Sequence, residues 1–108
     1  MENNNGNKSQ KTCGIKDVLD IIGGKWAMPI IYNLSKGKLR FKEIERTVTG
    51  INTRMLVKEL KNLEANGIVT RTVFATVPPT VEYELTRKGE KLLPSIKSLH
   101  EWGQEYAE

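Results

Sequence analysis

Cysteine and histidine are nearly missing from this 108-residue chain, with one of each. A lone cysteine, Cys13, cannot close an internal disulfide, so nothing asks for an oxidising compartment. The single histidine, His100, has no second ligand at a metal-binding spacing. Paired carboxylates and a phosphate-cradling glycine loop are also missing, and Gly23-Gly24 lacks the strand and helix context such a loop needs. The sequence therefore predicts no catalytic residues, no metal and no cofactor. Long apolar runs are absent too. The most apolar stretch, residues 27–32, falls far short of the ~18 residues a membrane span requires. The opening "MENNNGNKSQK" is polar and Asn-rich, without the apolar segment of a signal peptide. These absences predict a soluble cytoplasmic protein that engages no membrane, with a disordered tail over residues 1–12 and one domain over 13–108.

Charge is unevenly spread. Hydrophobic residues make up 38% and charged residues 28% of the chain, a globular balance, with a formal net charge of +4. Residues 38–72 hold eight bases (Lys38, Arg40, Lys42, Arg46, Arg54, Lys58, Lys61, Arg71) against four acids (Glu43, Glu45, Glu59, Glu64). Residues 86–108 balance four against four. A basic middle between neutral ends suits a polyanion that meets the middle alone.

The hydrophobic periods give an order of elements. "IKDVLDII" sets Ile15, Val18, Leu19 and Ile22 on one helical face, closed by Gly23-Gly24. A second helix is expected over about 26–34, with Trp26 in the core and Pro29 in the first turn. "SKGK" reads as a turn. "RFKEIERTV" reads as a short third helix with Phe41, Ile44 and Val48 inward. Gly50 breaks the chain, Asn52 suits an N-cap, and a fourth helix runs over 52–66 to Gly67. Alternation then predicts two strands, over 69–77 and over about 81–85. Thr86 can cap a long last helix carrying Leu92, Leu93, Ile96, Leu99, Trp102 and Tyr106, which Pro94 kinks or splits.

Three helices leading straight into a hairpin make a winged helix-turn-helix. The fold class is thus mainly α with a small β-hairpin wing (α+β). The core spans residues 26–85, and extra helices over 13–24 and 86–106 lie outside it. Pro78-Pro79 fits a wing tip, where the missing backbone donors cost nothing and discourage edge pairing.

On a 3.6-residue wheel, Lys58 and Lys61 fall within about 20–40° of Arg54, while Leu56, Leu60 and Leu63 face the other way. Thr53 and Val57 flank the basic stripe. Cations, a hydroxyl and a methyl-sized group are what a major-groove helix offers to guanine acceptors, phosphate and the thymine methyl. Arg54 and Arg40 also open their helices, where a cation opposes the helix dipole unless an anion joins it. Solvation alone, with Lys61 paired to Glu64, is the plainer reading of such a stripe. The attached wing favours DNA.

The blocks "DIIGGKWAMPIIYNL", "LRFKEIE", "GINTRMLVKELKNLEANGIVTRTV", "VPPTVEYELTRKGEKLLP" and "LHEWG" resemble, in order and spacing, the HxlR-type transcriptional regulators of the MarR-like group. The likeness covers residues 13–103. It implies a homodimeric repressor on double-stranded operator DNA, its recognition helix over 52–66 and its wing over 71–83. The DNA-binding set is then Arg40, Asn52, Thr53, Arg54, Val57, Lys58, Lys61, Arg71 and Thr80. Dimerisation would use the first and last helices through Ile15, Leu19, Leu92, Ile96, Leu99 and Trp102, although core packing of some of these fits equally well. Two-fold symmetry implies an inverted-repeat operator with half-sites about 34 Å, or a multiple, apart.

The resemblance also implies a role for Cys13, since members of the family often carry a cysteine just before the first helix and some use it to sense oxidants or electrophiles. Lys11, Lys16 and the helix start all favour its thiolate. This chain reads Cys13-Gly14 where Cys-Pro is usual, and a disulfide could join only Cys13 to its partner copy. An exposed cysteine without a role is the alternative. Two other readings of the whole chain stand beside this one: a winged helix that docks proteins, and a regulator set by a small-molecule effector.

Overall fold

The computed structural model describes residues 14–107, so the expectations for the tail and for Cys13 lie outside the described residues. Helix α1 (Gly14–Ile22) ends at Gly23, whose N–H bonds to the Leu19 carbonyl at 2.8 Å. Helix α2 (Ala27–Asn33) buries Ala27, Ile30 and Ile31, and passes into a 3-10 turn over Leu34–Lys36. A two-residue strand, β1 (Leu39–Arg40), precedes α3 (Phe41–Thr47). Helix α4 (Thr53–Ala65) begins as its cap predicts, with Asn52 Oδ1 accepting the Met55 N–H at 2.9 Å. Strands β2 (Val69–Phe74) and β3 (Thr80–Leu85) follow, then α5 (Arg87–Glu90) and α6 (Leu93–Tyr106). Among the described residues, no helix is long and apolar enough to cross a membrane.

One apolar core holds these elements. Leu56, Leu60 and Leu63 of α4 are essentially inaccessible, as are Ile30 and Ile31 of α2 and Ile44 of α3. Burying each such side chain contributes roughly 1.5–3 kcal/mol. That burial holds α3 against α2 and fixes which face of α4 looks outward. Trp26 is half-buried against the same core. Gly67, at φ +73°, makes the left-handed turn that ends α4 and leads the chain into β2.

The sheet differs from a plain hairpin. Its order is β1-β3-β2, all antiparallel, with Leu39 opposite Tyr83 and Val69 opposite Leu85. Strand β1 occupies the edge of β3 that β2 leaves free, so Arg40 is both a strand residue and the extended N-cap of α3. A third helix beginning at Arg40 is therefore corrected by one residue. The expected strand over 69–77 stops at Phe74, paired to Thr80, and Val77 stands fully exposed in the tip beside Pro78.

The C-terminal segment divides as Pro94 suggested. Thr86 caps α5 by accepting the Gly89 N–H at 3.0 Å, and Pro94 sits in the first turn of α6. Thr86 Oγ1 also bonds to the Gly67 carbonyl, and Lys88 Nζ bonds to the Asn66 carbonyl at 2.7 Å. Those contacts join α5 to the C-terminal end of α4. A Cβ on Gly89 would stand 2.3 Å from the Ile68 carbonyl oxygen, so this close approach requires glycine.

Candidate nucleic-acid interface

Helix α4 turns Arg54, Lys58 and Lys61 to solvent, and all three are exposed. Val57 beside them is 37% exposed, so the stripe carries an accessible methyl surface. The basic face is not neutralised from within. Among the described residues, the one ion pair joins Lys38 to Glu82 at 3.9 Å. A Lys61–Glu64 salt bridge, the plainer reading of this stripe, does not form.

The wing meets this helix across an open groove of about 490 Å³. Val57, Lys61 and Glu64 of α4 form one wall, Arg71, Val81 and Tyr83 the other, with Phe41 at the end. The sheet thus brings Lys61 and Arg71, ten residues apart in sequence, to opposite sides of one groove. A second cleft, of about 440 Å³, lies between α3 and the wing tip. Arg40, Lys42, Glu43 and Arg46 line it with Pro79, Thr80 and Val81. Arg40 and Thr80 come together there; Arg54 and Lys58 line neither cleft and stand on the open face.

Two polar residues of the expected set have part of their chemistry already assigned. Asn52 spends its carbonyl oxygen on the α4 cap and keeps its amide N–H groups. Thr53 donates its hydroxyl to Glu45 of α3. Glu43 is engaged too, accepting the Arg40 backbone N–H at 2.8 Å. Sequence reasoning missed Glu45 as a partner of Thr53, and Lys42 and Arg46 as neighbours of the wing tip. The charge count contained all three; the placement of Glu45 depends on the turn between α3 and α4, and that of Lys42 and Arg46 on the pairing of β1 with β3.

The interface expected on the terminal helices divides in two. Ile15 (75%), Leu19 (57%), Leu99 (56%) and Trp102 (60%) are well exposed. Ile96 is 4% exposed and belongs to the core of the single chain, and Leu92 packs against that core. Ile96 is hidden because α6 lies on α2, so that position is corrected from interface to core. Val18 and Tyr106 join the exposed apolar set, and Trp102 and Tyr106 touch with ring centres 5.4 Å apart. His100 stacks on Tyr32 of α2 at 5.0 Å.

A helix-turn-helix with an outward basic helix and a β-wing beside it defines a winged-helix DNA-binding protein. The chain belongs to the HxlR-like helix-turn-helix family, whose model matches residues 21–108. It is 44% identical over 94 residues to an uncharacterised HTH-type transcriptional regulator of Methanothermobacter thermautotrophicus, covering 87% of this chain and 72% of that one. The redox regulator HypR in its oxidised form superposes with a TM-score of 0.84 at 44% identity, covering 89% and 99% of the two chains. The reduced form of the transcriptional regulator YodB from B. subtilis gives 0.76 at 35% identity, covering 91% and 97%. The protein is therefore a transcriptional regulator built on a helix-turn-helix DNA-binding fold, and not an enzyme.

Proposed function

We propose that the protein acts as a homodimer that reads an inverted-repeat operator and represses by occupying it. Helix α4 enters the major groove, and the β2–β3 wing lies on the flanking backbone or minor groove. The observation that carries this reading is the unneutralised face of Arg54, Lys58 and Lys61, continued by Arg71 across the groove. A protein-docking wing would favour an apolar outward stripe, and the α4 stripe is cationic.

The test is a titration of the reduced protein on its own upstream intergenic DNA and on random DNA of equal length, at 50 and 200 mM salt. A preference of about tenfold or more for the native fragment, weakening steeply as salt rises, is expected. Equal, salt-insensitive binding would point to a protein partner instead.

Redox control through Cys13 is the second part of the proposal. Its support is the likeness to HypR, a redox regulator by name, and the fact that Cys13 is the chain's one thiol. Two Cys13 thiols from the two protomers lose two protons and two electrons to an oxidant such as diamide, which is reduced to the hydrazine, and one S–S bond forms. Diamide should change operator affinity in the parent and leave Cys13→Ser unchanged. A Cys13→Ser protein that responds like the parent removes Cys13 from the mechanism.

A further inference from the structure

The Thr53 hydroxyl has one proton, and that proton is committed to Glu45. An ionised carboxylate only accepts, so Thr53 must be the donor, and what Thr53 has left is oxygen lone pairs. Phosphate oxygens are likewise acceptors, as are guanine N7 and O6 and thymine O4. Thr53 in this arrangement can serve none of them. In the major groove the complementary groups are the exocyclic amines, N6–H₂ of adenine and N4–H₂ of cytosine.

From this geometry we infer that Glu45 is a specificity-determining residue, which by taking the Thr53 proton makes an acceptor patch that selects adenine or cytosine. The inference rests on the DNA-reading function proposed above. Position supports it: Thr53 is the first residue of α4 and is exposed, and the N-terminal residues of a recognition helix are the ones that reach base edges. Electrostatics supports it as well. The surrounding face is cationic through Arg54, Lys58 and Lys61, so a carboxylate at its start gives a donor group a local site there. A purely phosphate-binding Thr53 would need its proton free.

Selection from a randomised double-stranded DNA library, with parent, Thr53→Val, Thr53→Ser and Glu45→Gln proteins, tests this. Parent and Thr53→Ser should enrich adenine or cytosine about tenfold at one position of each half-site. Thr53→Val should lose that preference alone and keep the parent's affinity for random DNA. In Glu45→Gln the amide can donate as well as accept, so guanine or thymine should become tolerated at the same position. Thermal melting of each variant, alongside the selection, separates misfolding from changed reading. Unchanged base preference in both Thr53→Val and Glu45→Gln overturns the inference, as does an equal loss of affinity by Thr53→Val on every sequence, which would return Thr53 to phosphate. A library from which the parent enriches nothing overturns the DNA-reading function along with it.

Discussion

A protein carrying both Leu19→Asp and Trp102→Asp should sediment as a monomer and bind a two-half-site operator at least about 10²-fold more weakly than the parent. The physical basis is an apolar surface that the single chain leaves uncovered. Helix α1 exposes Ile15 and Leu19, and α6 exposes Leu99, Trp102 and Tyr106, each more than half accessible. Covering such side chains contributes roughly 1.5–3 kcal/mol apiece, which a second copy provides twice by symmetry. An aspartate at either position would bring an unpaired carboxylate into that contact, at a cost of several kcal/mol. Neither side chain belongs to the buried core, so the thermal midpoint of the separated chain should depend little on the changes. The loss of affinity follows from valency: once one half-site is held, the other binds at high effective concentration only while the protomers stay joined. A single half-site should therefore bind parent and variant alike. A variant that remains dimeric would move the interface off α1 and α6.

Helix α4 was legible because its signals are local. Three leucines at helical spacing, an asparagine before them and a glycine after them specify α4 to within a residue at each end. Strand β1 was not legible, since two residues carry no period. Leu39 and Arg40 become a strand only because β3 offers them a free edge. The hydrophobic alternation ran too far in the wing, to Val77, because it could not register that pairing ends where Phe74 meets Thr80. On α6 the apolar positions looked equivalent, yet α2 covers Ile96 and leaves Leu99 mostly open. Which of them is core depends on where another helix lies, information outside the segment itself. The Thr53–Glu45 contact was illegible for the same reason. It spans two helices across the turn at Gly50, and each residue alone reads as an ordinary polar surface position.

Arg54→Ala and Lys61→Ala should weaken binding in distinguishable ways. Arg54 stands on the open face of α4 in its first turn, outside both clefts, where a guanidinium can reach a guanine edge with two hydrogen bonds. Its removal should cost about 1–3 kcal/mol on the operator, and much less on random DNA. Lys61 lies two turns further along, in the groove opposite Arg71, where the wing approaches the helix. A strand of DNA backbone passing between helix and wing would meet both cations, so Lys61→Ala should weaken operator and random DNA by the same factor. It should also lower the slope of log affinity against log salt by about two for a dimer, near one per protomer. Titrations of both variants on both fragments, each at several salt concentrations, measure the four affinity losses and the salt slope. Equal losses on the two fragments for Arg54→Ala would assign that side chain to phosphate and shift base reading toward Lys58 and Val57, the next outward positions. An unchanged salt slope for Lys61→Ala would mean the backbone bypasses the groove, leaving the wing to contact DNA through its tip and the Arg40, Lys42 and Arg46 cleft.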